Sequence, residues 1–259
     1  MAERNLQDLF DNSKSEGALS DDSHQLLTLP DLGAKIQQGL GVAVDDIPSS
    51  EVFMVTLLVD DSGSISSAGN ERIVMDGYNE IVAALRGSKE ESGILIHTRF
   101  LNGKVLTAYT PIDQAVALDA TNYQANGSTP LYDESVALLG TVIAKTQELA
   151  DAGVPSRSVT VIITDGADCG SHRHDARAVK AIVRDMLKAE AHIVAAVGLS
   201  DGSTDFRRVF REMGIEDRWI LTPGVSKSDI RAAFRLISQT AVRTSQGRTA
   251  FGAAGGFGG

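Results

Sequence analysis

Val-Phe-Met-Val-Thr-Leu-Leu-Val-Asp-Asp-Ser-Gly-Ser-Ile-Ser, residues 52–66, runs from apolar chain straight into a cluster of oxygen-bearing side chains. Val52 to Val59 is nearly continuous in apolar, often β-branched residues, the pattern of a strand buried on both faces. Asp60, Ser62 and Ser64 then fall at alternate positions where that strand should stop. The loop reads as the start of a divalent-cation site, with Thr129 and Asp165 expected to complete it.

Outward from this stretch the chain alternates. Ile73, Val74, Gly77, Ile81, Val82 and Leu85 recur at helical spacing before a stop at Gly87. Residues 93–100 read as a second strand, and Asn102-Gly103 turns the chain into a return strand over 104–109. Residues 113–118 suggest a short helix and 121–128 a polar loop. Thr129-Pro130 opens a long helix, with the proline where its missing N–H costs nothing. A buried strand over 158–164 stops at Asp165-Gly166. A helix over 176–189, a strand over 192–199, a helix over 206–213, a short strand over 218–221 and a helix from Ser226 to about 244 follow. Alternation of this kind predicts an α/β, Rossmann-like three-layer sandwich: a mostly parallel central sheet with one antiparallel edge strand, and helices on both faces. In such folds ligands bind beyond the carboxyl ends of the strands.

Residues 1–50 are acidic and weakly patterned. Leu26, Leu27 and Leu29 form one apolar knot closed by Pro30, and 34–40 has the makings of a short helix. Two readings stand: an arm docked loosely on the core, or an arm that binds a partner or adds a strand to the sheet edge. The main domain then spans 51–245. Residues 246–259 are rich in Gly and Ala with isolated Phe251 and Phe257, and read as a flexible tail.

Three loops carry the chemistry: Asp60-Asp61-Ser62-Gly63-Ser64, Asn126-Gly127-Ser128-Thr129-Pro130 and Thr164-Asp165-Gly166. The first and third end strands and so share a rim. Carboxylates and hydroxyls are the hard donors that Mg²⁺ prefers, and Mn²⁺ or Ca²⁺ accepts the same set. Each residue also has a plain role. Asp60 or Asp165 can be a turn residue, and Ser62, Ser64 or Thr129 a helix cap. Cys169, His172 and His174 lack a fourth partner for zinc and read as a polar loop.

Asp60-x-Ser62-x-Ser64, then Thr129 within Gly-Ser-Thr-Pro-Leu-Tyr-Asp, then Thr164-Asp165-Gly166, resembles a von Willebrand factor type A (VWA) domain over roughly 52–244. That family carries a metal-ion-dependent adhesion site (MIDAS). The resemblance implies direct metal contacts from Ser62 and Ser64, with Asp60, Thr129 and Asp165 direct or through water. Asp61, at the variable position of the motif, is not expected to ligate. It further implies that an Asp or Glu of a partner protein replaces a metal-bound water. The function implied is an intracellular, non-enzymatic, Mg²⁺-dependent protein-interaction module, in the company of an AAA+ ATPase or a multi-protein assembly. The rival is a Mg²⁺-dependent phospho-acceptor or aspartyl phosphotransferase. A receiver domain would want a lysine closing a late strand, where Leu199-Ser200-Asp201-Gly202 stands, and a haloacid-dehalogenase-type enzyme would want a carboxylate at Ser62.

The formal net charge of −10 argues against nucleic acid, which requires cationic surface. A single cysteine, Cys169, precludes an internal disulfide. No stretch resembles a signal-peptide core or a membrane span, so the expected setting is cytoplasmic.

Overall fold

The computed structural model describes residues 5–88, 93–199, 202–224, 226–246 and 256–257. Among these residues six strands form one sheet: β1 (Val52–Val59), β2 (Ile94–Phe100), β3 (Val105–Pro111), β4 (Ser156–Thr164), β5 (His192–Gly198) and β6 (Ile220–Leu221). Their order is β3-β2-β1-β4-β5-β6. β1 runs parallel to both β2 and β4, β5 runs parallel to β4 and β6, and β3 is antiparallel to β2. Every residue of β1 is buried, as its unbroken apolar run requires. The strand order reverses between β1 and β4, so a crevice opens beyond their carboxyl ends.

The helices are α1 (Leu6–Ser15), α2 (Asp21–Leu27), α3 (Pro30–Gln37), α4 (Gly63–Ser67), α5 (Glu71–Arg86), α6 (Leu131–Asp151), α7 (Ala176–Lys188), α8 (Phe206–Glu212) and α9 (Lys227–Gln246). α5 and α9 pack together, and α6 packs with α7. Gly77 lets α9 approach α5, because a Cβ there would stand 2.3 Å from Cγ of the buried Phe234 ring. Ser226 caps α9, its hydroxyl accepting from Asp229 N at 3.2 Å.

The acidic N-terminal segment holds three helices laid on α6 and α7. Asn5 and Ser20 cap α1 and α2, and Pro30 opens α3 at its first turn rather than closing an apolar knot. Leu27 and Ile36 meet α6 at Gly140, where a Cβ would come within 2.8 Å of both. Lys35 Nζ reaches Glu134 Oε1 at 2.5 Å, and Arg99 Nη1 on β2 meets Glu134 Oε2 at 3.1 Å. Beyond α3 the chain touches the outer edge of the sheet. Tyr109 N donates to Gly39 O at 2.9 Å, and Val42 N donates to Tyr109 O at 2.7 Å.

Two local expectations change. Residues 113–118 form only a 3₁₀ turn at Ile112–Gln114, because the Arg86 guanidinium takes the carbonyls of Ile112, Asp113 and Ala115. The strand expected over 218–221 is a 3₁₀ turn, Asp217–Trp219, followed by the two residues of β6. Of the tail, Phe251 lies outside the described residues, whereas Phe257 is buried against Trp219.

Candidate metal centre

β1 and β4 deliver Asp60 and Asp165 side by side at the crevice. Asp60 is fully buried. Its Oδ1 accepts from Ser62 N at 2.8 Å, and its Oδ2 accepts from Thr164 Oγ1 at 2.6 Å and Asp165 N at 3.1 Å. The Asp60 carboxylate thus turns its own loop and fastens it to the end of β4. All three donors are neutral.

A second chain of bonds runs through the hydroxyls. Ser64 Oγ donates to Asp165 Oδ1 at 2.5 Å. With that proton committed, the 2.9 Å contact between Ser62 Oγ and Ser64 Oγ is a bond donated by Ser62. Ser62 sits at the start of α4, which sequence reading did not separate from the loop. Its five residues are too few for a periodic signal.

The middle loop is strapped to the first by its backbone. Gly63 N donates to Gly127 O at 2.9 Å, and Asn126 N donates to Asp61 O at 2.9 Å. Thr129 pairs with Cys169 through two backbone bonds, at 3.1 and 2.9 Å, which set it against the loop after β4. A Cβ added at Gly166 would stand 3.7 Å from Thr129 Oγ1, so the hydroxyl faces the Asp165-Gly166 turn. The structure therefore brings Asp60, Ser62, Ser64, Thr129 and Asp165 to one rim. Asp60, Ser62, Ser64 and Asp165 are tied by bonds involving their side chains, and Thr129 by its backbone.

Asp61 points elsewhere. Its Oδ1 accepts from Asn102 N at 3.0 Å, across the turn between β2 and β3. Burial pushes its carboxyl up to about 6, with Asp60 adding to the rise and the Asn102 N–H opposing it. Asp61 lines a polar cleft of about 180 Å³ with Asn102, Lys104 and Asn126, next to the rim.

Two residues support the site, of which Tyr123 escaped the sequence reading and Thr164 stood in the third loop without an assigned role. Tyr123 donates its hydroxyl to Asp60 O at 2.5 Å, and Thr164 bridges Asp60 to Gly166. Burial, then the carboxylates of Asp60, Asp61 and Asp165, raise the Tyr123 phenol and keep it a neutral donor. The one signal for Tyr123 was an aromatic residue inside an otherwise polar loop. Among the described residues no group of three or more His, Cys, Asp or Glu converges as a metal cage. His174 Nδ1 lies 2.9 Å from Asp133 Oδ1, which also accepts from His174 N at 2.8 Å, so this loop is folded around a carboxylate on α6.

No protein-family model and no curated protein matches the chain. Solved structures do. The pilus adhesin SpaC of Lactobacillus rhamnosus GG, in its open conformation, matches with a TM-score of 0.51 at 12% identity, covering 76% of this chain and 30% of the adhesin. The proximal thread matrix protein 1 of the mussel byssus, in its second crystal form, matches with a TM-score of 0.50 at 16% identity, covering 73% of this chain and 47% of that protein. The fold is that of a VWA domain. At such identities the likeness is one of fold alone. In the VWA frame, the three loops form the rim at the switch point, with α6 leading away from Thr129.

Proposed function

We propose that this VWA-fold chain is a protein-interaction module that holds Mg²⁺ on Asp60, Ser62, Ser64, Thr129 and Asp165 and binds an Asp or Glu of a partner. The observation that carries the reading is the fully buried Asp60 carboxylate, held by three neutral donors and set beside the buried Asp165 at the rim. Buried carboxylates are costly unless a positive charge compensates them. Two carboxylates with three hydroxyls are a hard-oxygen set of the kind Mg²⁺ takes, and too few to fill its coordination shell. Bound there, Mg²⁺ supplies the compensating charge and an exchangeable coordination position. The chain itself fixes the donors: Asp60 orients its loop, Ser62 and Ser64 relay a hydrogen bond to Asp165, and Tyr123 and Thr164 brace Asp60.

The same geometry favours a non-enzymatic role. Asp60, the residue a phospho-acceptor would use, is fully buried with both carboxylate oxygens engaged. The proposal extends to a cytoplasmic setting beside an AAA+ ATPase or in a multi-protein assembly. Among the described residues no helix is long and apolar enough to cross a membrane.

Thermal unfolding with and without Mg²⁺ tests the metal. The wild type should gain about 2.7 kcal/mol when Mg²⁺ is a hundredfold above its dissociation constant, and Asp60→Ala and Asp165→Ala should gain nothing. A wild type indifferent to Mg²⁺ overturns the reading. Affinity capture with and without a chelator tests the partner, and a partner set insensitive to chelation overturns that half.

A further inference from the structure

The 3₁₀ turn Asp217–Trp219, beside the sheet edge farthest from β3, carries an occupied site that the metal centre does not use. Phe257 is 6% exposed and sets its ring edge-on to Trp219, with centroids 5.5 Å apart and planes at 81°. That is the attractive geometry for two aromatic quadrupoles. Trp219, itself 2% exposed, also takes the Arg218 guanidinium over its ring at 5.8 Å. The backbone joins in: Phe257 N donates to Arg218 O at 3.0 Å, in the 3₁₀ turn that leads into β6. A main-chain hydrogen bond that fixes position, with a pocket beside it for one side chain, is a general way of recognising a peptide.

The residue before the aromatic is specified twice over. Gly256 has φ +80°, which an L side chain rarely adopts. A Cβ there would stand 2.7 Å from Arg218 O and 2.8 Å from Arg218 Cβ. Only glycine permits this approach to the Arg218 backbone. Phe251 follows Ala250 and so fails the requirement that Gly256-Phe257 meets.

We propose that the Arg218–Trp219 face is a peptide-binding site for a glycine–aromatic segment, filled here in cis by Gly256-Phe257. The covalent link gives the internal segment a high effective concentration, so it excludes an external Gly-Phe peptide until it is disabled.

Trp219 is the only tryptophan and reports on its own site. In the full chain, Phe257→Ala should shift Trp219 emission to the red and raise its quenching by acrylamide severalfold, and Phe251→Ala should change neither. Gly256→Val, which keeps the phenylalanine, should act like Phe257→Ala. Titrating acetyl-Gly-Gly-Phe-Gly-Gly-amide into Phe257→Ala should reverse the shift with saturation. The peptide carrying Ala before Phe should not, and the wild type should not respond to either. Equal quenching of the wild type and Phe257→Ala overturns docking in cis. A red-shifted variant that ignores the peptide, or binds both peptides alike, overturns the recognition site. Far-ultraviolet circular dichroism of each variant, matched to the wild type, assigns these changes to the site rather than to unfolding.

Discussion

Ser64 donates its hydroxyl to the Asp165 carboxylate at 2.5 Å, and that bond closes the loop after β1 onto the loop after β4. Removing it separates two effects. Ser64→Ala should cost about 1–3 kcal/mol without metal, as the loss of a hydrogen bond to a charged acceptor. It should also blunt the stabilisation by Mg²⁺. Urea melts at several Mg²⁺ concentrations read both, and a Ser64→Ala response to Mg²⁺ equal to that of the wild type would place the ion elsewhere.

Glu134 answers two cations of very different burial. Arg99 is fully buried, whereas the Lys35 side chain is 45% exposed. Glu134→Gln leaves Arg99 as an uncompensated buried charge and should cost about 3–5 kcal/mol. Lys35→Ala should cost at most about 1 kcal/mol, since water screens its half of the pair. Denaturant midpoints giving the two variants equal losses would contradict this division.

Gly77→Ala pits two terms against each other. Alanine improves helix propensity by about 1 kcal/mol. The added methyl would press on the Phe234 ring, which cannot turn aside in a packed core, at a cost of about 1–3 kcal/mol or more. Overpacking should win, and the variant should melt lower than the wild type. A trim at the contact, Phe234→Leu, should recover part of the loss when combined with it.

Two histidines set an acid limit. Burial, with Arg99 nearby, pushes His97 down to about 3, and burial pushes His192 down to about 4. Both are neutral in the folded chain, while in the unfolded chain they protonate near about 6.5. Stability is therefore full above about pH 6.5 and falls as pH drops, because the unfolded state takes up protons that the native state refuses. The slope approaches about 1.4 kcal/mol per pH unit for each histidine until its folded pKa is reached. His192→Gln should lower the combined slope between pH 6 and 5, read from urea melts at stepped pH. An unchanged slope would remove His192 from the account.

The sheet and the rim were legible in the sequence because they rest on local signals. A two-sided buried strand must be apolar throughout, and residues 52–59 are; a ligand loop must carry oxygen, and residues 60–64 do. Of the N-terminal helices only α3 was partly legible, as the short helix read over 34–40. Their apolar positions, such as Leu9, Phe10, Leu27 and Ile36, are sparse among acidic residues. These helices find their apolar cover on α6 and α7, more than 90 positions away in sequence. Asp61 was expected not to ligate from its place in a motif. The bond from Asn102 N gives a physical reason, which no spacing could have revealed. Helix 113–118 failed because side chains of α5 claim the segment's backbone: Arg86 takes the carbonyls of Asp113 and Ala115, Tyr78 that of Val116, and Asn79 both backbone groups of Leu118.

At β3, Tyr109 spends both its backbone groups on Gly39 and Val42; at the opposite end, Arg218 O receives Phe257 N. An exposed strand is a template on which other chains can assemble. Here the β3 margin is partly covered by the chain's own Gly39–Val42 stretch, and Phe257 packs beside the 3₁₀ turn that leads into β6, so the chain itself stands where a second copy would otherwise add. Loss of either segment should be felt first in the test tube as turbidity at high concentration, before any change in what the rim can bind.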